Sequence, residues 1–381
     1  MRYDWLRSLM FRLEPERAHA VVMAGLRVCD RHPGLLRLLH WTFTPTDPRL
    51  RVRCFGLDFP NPLGLGAGFD KHAEAPATWP ALGFGTADLG TVTALPQAGN
   101  PRPRAFRIPE EHAAINRMGF NNVGANVVAE RLRAARARPW WPDAPLGVNV
   151  GKSRAAPLDA AVDDYEAAFR AVWPVADYLV LNVSSPNTPG LRSLQAPDQL
   201  QPLLDLIARL RDELGGKPVL LKLSPDLDEA ALDALVASAE AAALDGLVAT
   251  NTTVRRDVLR QDPGEEGGLS GAPLGPIALQ VLRQLRARTR LPLVASGGVE
   301  TAADVIERLQ AGASLVHVYT GWIYQGPFMP RVVARGVLRW LERQGAASLQ
   351  QWLDARDVAH ARGPLPSEAS QARPSQAQPP R

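Results

Sequence analysis

Eight short apolar runs, each followed by a longer amphipathic stretch, predict an α/β protein of the closed (β/α)8 (TIM) barrel class. Two further observations agree. The runs are apolar throughout instead of alternating, as parallel strands covered on both faces require. They also end in glycine, amide and hydroxyl residues, the composition of loops that line a barrel mouth.

The predicted strands are Leu63–Ala67, Ala87–Thr91, Leu146–Val150, Tyr178–Val183, Val219–Leu223, Gly246–Thr250, Leu293–Ala295 and Leu315–Tyr319. Helical periodicity marks Gly124–Arg136, Val162–Val172, Asp198–Leu214, Glu229–Ala243, Pro276–Arg288, Thr301–Ala311 and Pro330–Gln344. A loop over Thr42 to Pro48 and a hairpin around Val52 to Phe59 precede the first strand. The resulting division is a helical extension over 1–41, a barrel over 42–345 and a variable, largely disordered tail over 346–381. That last reading rests on Gly363 to Arg381, where five prolines stand among Ser, Gln and Ala.

With 46% hydrophobic and 22% charged residues, disorder of the whole 381-residue chain is excluded. Two cysteines, Cys29 and Cys54, cannot form a disulfide framework or a metal cluster; they read as buried thiols in a reducing compartment, and no metal is expected. A net charge of +4 is too small to mark a nucleic-acid-binding domain. No run reaches the roughly 18 apolar residues needed to span a bilayer. The start lacks the pattern of a secretory signal, so the chain is expected to be neither integral nor exported.

The extension has its own character. Trp5, Leu6, Leu9, Met10 and Leu13 form one helical stripe and Val21, Val22 and Leu26 another, with Pro15 opening the second helix. Arg2, Arg7, Arg12, Arg17, Arg27, Arg31 and Arg37 outnumber Asp4, Glu14, Glu16 and Asp30. Such a basic amphipathic pair either packs on the barrel or lies in a membrane interface, and periodicity alone favours packing. The acids argue against a mitochondrial transit peptide.

Read together, the strand ends are GAGFDK, GTVT, NVGK, NVSSPNTPG, KLSPD, TNTT, SGGV and YTG. They suit a flat, polar, anionic ligand. Lysine is scarce on the predicted surfaces, so Lys71, Lys152 and Lys222, each after a strand, read as functional. Gly297-Gly298 and the Tyr319 loop stand where barrels bind phosphate, although a Gly pair alone marks only a turn. From Asn182 to Gly190 the chain packs two amides, three hydroxyls and two prolines into nine residues, a stiff loop able to bind the edges of a heterocycle. Either Ser184 or Ser185 serves as a base only if its proton is passed onward, and no His/Asp pair accompanies them as in a hydrolase triad. Asn116-Arg117-Met118-Gly119-Phe120 again joins an amide and a cation.

In order, NPLGLGAGFDK, GTVT, NRMGFNN, NVSSPNTPG, KLSPDL, ATNTT, GGLSG, SGGV and YTG closely resemble the class 2, quinone-dependent dihydroorotate dehydrogenases, over about residues 3 to 341. The start, YDWLRSLMFRLEPERAH, resembles that family's membrane-associating extension and reverses the preference for simple packing. The resemblance implies an FMN-dependent oxidoreductase of de novo pyrimidine biosynthesis that oxidises dihydroorotate to orotate, with ubiquinone or menaquinone as acceptor. It implies Ser185 as catalytic base. FMN contacts would fall on Ala67, Gly68, Phe69, Asp70, Lys71, Thr91, Asn149, Asn182, Lys222, Thr250, Gly271, Gly298, Tyr319 and Thr320. Substrate contacts would be Lys71, Asn116, Arg117, Met118, Gly119, Phe120, Asn182, Asn187, Asn251 and Thr252, and the quinone site His19, Arg107 and Tyr319. A monomer on the cytoplasmic face of a bacterial membrane is expected, without nucleic acid. Ser153, Ala295-Ser296 and His317 depart from the family pattern and bear on tuning of the flavin.

Three rivals remain. A soluble-class relative and a tRNA dihydrouridine synthase each depend on a cysteine at the site, and neither Cys29 nor Cys54 follows a barrel strand. A non-catalytic, membrane-surface binding module is the third, and it would not bind FMN.

Overall fold

A computed structural model describes residues 3–362, with side chains as far as His360. Helices α1 (Asp4–Phe11), α2 (Pro15–Arg31) and α3 (Pro33–Phe43) form the extension. They number three and not two because Pro33 occupies the first turn of a new helix, where a missing N–H costs nothing. The hairpin β1 (Val52–Cys54) and β2 (Leu57–Phe59) follows as expected. Next come β3 (Leu63–Leu65), the short α4 (Thr78–Ala81), β4 (Thr86–Val92), β5 (Ala105–Ile108), β6 (Ala113–Asn116) and α5 (Ala125–Arg136). The chain continues through β7 (Leu146–Val150), α6 (Ala161–Val172), β8 (Tyr178–Asn182), α7 (Pro197–Leu214), β9 (Val219–Leu223) and α8 (Glu229–Ala241). It closes with β10 (Gly246–Ala249), β11 (Gly268–Gly271), α9 (Gly275–Arg288), β12 (Leu293–Ser296), α10 (Ala302–Gln310), β13 (Leu315–Val318), α11 (Thr320–Gln325), α12 (Met329–Gln344) and α13 (Leu349–Arg362).

Eight parallel strands close the barrel in the order β3-β4-β7-β8-β9-β10-β12-β13, with β13 paired back to β3. These are the eight expected runs, each within a residue or two of its predicted ends. Unforeseen was a separate antiparallel sheet, β5-β6-β11, in which Ala105↔Asn116 and Gly268↔Asn116 mark the registers. It stands over the barrel mouth because β5 and β6 interrupt the second β/α unit and β11 interrupts the sixth. Its own small core is Ala113, Ile115, Leu259 and Leu269.

The barrel interior is not wholly apolar. Tyr178 is fully buried and donates from its hydroxyl to Asp88 Oδ1 at 2.6 Å. His317 Nδ1 lies 3.5 Å from the other Asp88 oxygen. Gly147 clears the space these groups need, since a Cβ there would sit 2.6 Å from Asp88 Oδ1 and closer still to the Tyr178 ring.

The tail reading is corrected in part. Residues 349–362 form α13, with Leu349 and Leu353 buried and Trp352 edge-on to Trp340 at 4.6 Å between ring centroids. Arg356 is buried as well and donates to Ala313 O at 2.6 Å. The remaining tail, 363–381, lies outside the described residues.

Helices α1 to α3 leave apolar groups in solvent: Trp5 is 58% exposed, Leu9 52%, Leu38 55% and Trp41 81%. Among the described residues no helix is long and apolar enough to cross a membrane.

Candidate active site

A cavity of about 760 Å³ runs from between α1 and α2 down to the C-terminal ends of the barrel strands. Its upper walls are largely apolar, with Leu6, Met10, Val22 and Leu26; its floor is polar, with Lys71, Asn182, Ser185 and Lys222. That is the expected place for chemistry in this fold.

Most of the expected site residues line this one space. They include Ala67, Gly68, Phe69, Lys71, Thr91, Asn182, Lys222, Thr250, Gly271, Gly298, Tyr319 and Thr320. Asn116, Met118, Gly119, Phe120, Ser185, Asn187, Asn251 and Thr252 line it too, as do His19 and Arg107 from the quinone group. Four expected residues stand elsewhere. Asp70 turns behind the wall, where its carboxylate accepts from the N–H groups of Glu74 (2.8 Å) and Ala75 (2.9 Å) and from Trp79 Nε1 (3.2 Å), shaping the turn that aims Lys71. Asn149 sits beneath the wall as an acceptor for Thr91 Oγ1 (2.6 Å) and Asn182 Nδ2 (2.9 Å). Arg117 points away from the cavity, bonding Glu265 Oε2 at 2.8 Å and lying over the Phe106 ring at 4.5 Å. Lys152 is turned into its own loop, donating to Ser153 O at 2.9 Å and to Ala156 O. Only two of the three strand-end lysines therefore face the site.

Asn182 is the hub of the floor. Its Nδ2 donates to Asn149 Oδ1 and to Thr91 Oγ1 (3.1 Å), and its Oδ1 accepts from the Ser184 N–H and hydroxyl, each at 3.2 Å. Ser184 is thereby occupied, with Asn251 Nδ2 donating to its Oγ at 3.0 Å. Ser185 is different: its Oγ accepts only a long bond, 3.2 Å, from the Asn187 N–H, and it faces the cavity. Between the two serines, geometry favours Ser185 as the reactive one.

Burial sets the charges. It pulls the Lys71 ammonium down to about 8, opposed by the nearby Glu16 carboxylate. Lys222 is also held below its ordinary value by burial, with Asp88 opposing. Lacking solvent, the Tyr319 hydroxyl is pushed up to about 12 and stays protonated, 3.2 Å from Gly68 O. Desolvation and the Lys71 charge lower His19 to about 4, so its imidazole is neutral near pH 7. Its Nε2 lies 2.7 Å from Phe69 O, which can only accept, so Nε2 carries the proton. Arg107 staples α1 to β5: its guanidinium lies 4.6 Å from the Phe11 ring centroid and donates to Met10 O at 3.4 Å.

A flat heterocycle with a phosphate arm fits these residues. Asn149 Nδ2 is a buried donor with no partner, and His317 Nε2 is unpaired on the cavity wall. At the other end, Gly298 (φ +67°) adopts a conformation reserved for glycine, and a Cβ would run into Gly275. Backbone there approaches closely enough to cradle phosphate oxygens with Ser296, Gly297 and Thr320. Ser270 and Ala114, from the unforeseen sheet, also line the space, and only the GGLSG string hinted at the first of them. Among the described residues no cluster of His, Cys, Asp and Glu is arranged to hold a metal.

Comparison with known proteins agrees with this geometry. The family profile "Dihydroorotate dehydrogenase" matches residues 49–341. The chain is 52% identical to the dihydroorotate dehydrogenase (quinone) of Thermobifida fusca, over 92% of this chain and 96% of that one. It is 51% identical to that of a Thermus thermophilus strain, over 90% and 98% respectively. A ligand-free DHODH crystal structure from Eimeria tenella superposes with a TM-score of 0.81 at 36% identity, over 92% of this chain and all of that one (100%). By its barrel, its mouth residues and these relatives, the chain belongs to the dihydroorotate dehydrogenase family.

Proposed function

We infer that the protein oxidises (S)-dihydroorotate to orotate, with FMN as the bound cofactor and a membrane quinone as final acceptor, the fourth step of de novo pyrimidine (UMP) biosynthesis. The observation that carries the reading is the single cavity, which joins an amide-rich pocket beside Ser185 to an apolar opening between α1 and α2.

Ser185 Oγ takes the proton from substrate C5 as its own hydroxyl proton leaves to water in the open cavity, and the Asn187 N–H on that oxygen stabilises the alkoxide character it needs to act as base. Held in the cavity, FMN would supply the acceptor for the C6 hydride and the two-electron relay to the quinone. Asn116, Asn182, Asn187 and Asn251 surround the planar ring of the substrate with amide donors and acceptors. Lys71 supplies a positive charge for an anionic ligand, and Lys222 does the same for a reduced heterocycle. Gly298, Gly271 and Thr320 bind the phosphate end. On the far side, His19, Arg107 and Tyr319 frame the quinone entrance. With its Nε2–H given to Phe69 O, neutral His19 keeps an unprotonated Nδ1 as an acceptor, suited to a quinol hydroxyl, and neither it nor protonated Tyr319 brings a charge to the entrance.

The exposed apolar groups of α1 and α3, among them Trp5, Leu9, Leu38 and Trp41, dock on the lipid surface and let a lipid-soluble acceptor enter from the bilayer. On this reading the protein is peripheral to the membrane. The test is direct: purified protein carries FMN, released on denaturation and identified by mass, and converts dihydroorotate to orotate with a quinone analogue. Protein without flavin, or holoenzyme that forms no orotate, overturns the reading.

A further inference from the structure

One turn before His19 on α2 stands Glu16, whose side chain is only 11% exposed. Its Oε1 accepts from Arg104 Nε at 2.7 Å, and its Oε2 lies 2.6 Å from Arg102 Nε. Arg104 is buried and reaches into the loop ahead of β5, where Nη1 donates to Ala98 O (2.6 Å) and Asn100 O (2.8 Å). The loop is wrapped around that guanidinium: at Gly99 a Cβ would sit 2.7 Å from Nη1. Asn100 Nδ2 then donates to Arg117 O at 2.8 Å and to Asn187 O at 3.3 Å. From Asn187, Nδ2 donates to Asn116 Oδ1 at 3.3 Å, and the N–H donates to Ser185 Oγ at 3.2 Å.

A continuous chain of hydrogen bonds thus runs from α2, through Arg104 and Asn100, to both segments that surround the substrate pocket. The loop from Gln97 to Pro103 contributes no large apolar side chain to the core, so these polar bonds hold it in place. A charge-assisted bond to a nearly covered carboxylate is the strongest of them.

We propose that Glu16 is a positioning residue for the substrate: its carboxylate, acting through Arg104 and Asn100, sets the placement of Asn116 and Asn187 around dihydroorotate. Helix α2, which presents His19 to the quinone side, thereby also sets substrate affinity. This rests on the function proposed above.

The experiment uses flavin-loaded Glu16→Gln and Arg104→Lys proteins. Orotate affinity is read without turnover, from the change in flavin absorbance on titration. Flavin reduction by dihydroorotate and reoxidation by a quinone analogue are followed separately. Glu16→Gln weakens orotate about tenfold, the size of one lost charge-assisted bond. It raises the dihydroorotate concentration for half-maximal reduction by the same factor, while the reoxidation rate and the melting temperature stay near wild type. Arg104→Lys gives the same pattern, and the double variant is no worse than either single one, because all three break the same chain. Unchanged orotate affinity in both variants overturns the proposal. So does a uniform loss of both half-reactions with a lowered melting temperature, the sign of a merely structural role. Wild-type protein that binds no flavin or no orotate would instead overturn the function on which the proposal rests.

Discussion

At the scale of single residues, the site separates groups that react from groups that hold them. Ser184 and Asn149 are tied into the Asn182 network, whereas Ser185 has one long bond and an open face to the cavity. Ser185→Ala is expected to slow flavin reduction by roughly 10²–10⁴, the usual contribution of a positioned base, with flavin content unchanged; rapid-mixing absorbance measures both. Lys71 gives a pH dependence of known sign. Burial lowers it to about 8, so it is charged at neutral pH and loses its proton as pH rises through 8. Orotate affinity should therefore fall between pH 7 and 9, and titrations of Lys71→Met should show that step removed. His19 acts in the acid range. Its folded value of about 4 lies below the ordinary 6.5, so the stability tied to its neutral form is complete above pH 6.5 and is lost as pH falls toward 4. Melting temperatures at pH 7.5 and 5 should differ less for His19→Gln than for wild type.

At the scale of elements, the barrel strands were readable because continuous apolar runs bounded by glycine and amides have few alternatives in a chain of this length. The antiparallel sheet was not. Its strands are four residues each and carry Arg107 and Ser270 among apolar neighbours, and β11 pairs with β6 across about 150 residues of chain, beyond the reach of local periodicity. Helix α13 was missed for another reason: its few apolar residues, Leu349, Trp352, Leu353 and Val358, form only a weak stripe, and it follows the last family motif. A local signal was nevertheless present: Ser348 Oγ accepts from Gln351 N at 3.2 Å and Gln351 Oε1 accepts from Ala347 N at 2.9 Å, a reciprocal capping pattern visible in the sequence as Ser-x-x-Gln. Inside the barrel, Gly147 exists for its neighbours. Gly147→Ala would press a methyl group against Asp88 and Tyr178 and should cost about 1–3 kcal/mol, read as a lowered denaturant midpoint.

At the scale of the molecule, function follows from joining two unlike surfaces through one cavity: a polar pocket at the strand ends and an apolar entrance between α1 and α2. The candidate site was legible in sequence wherever a residue follows a strand, as with Lys71, Asn182 and Lys222, because the barrel fixes where those positions point. It was not legible where side chains turn away. Arg117 and Lys152 sit at equally suggestive positions but bond Glu265 and their own loop, and only three-dimensional packing decides that. The extension carries the acceptor side of the account. Replacing Leu9, Leu38 and Trp41 together with serine should reduce cosedimentation with anionic lipid vesicles and leave flavin reduction by dihydroorotate intact, since all three are solvent-exposed and only the membrane face changes.

Within the proposed function, one chain both oxidises dihydroorotate and delivers the electrons to a quinone. The most direct test of this is an anaerobic mixture of the holoenzyme with dihydroorotate, followed by absorbance and then divided between a ubiquinone analogue and fumarate. Dihydroorotate should bleach the flavin, and the quinone should restore it while fumarate does not. A flavin that fails to bleach, or one restored by fumarate and not by quinone, would contradict it.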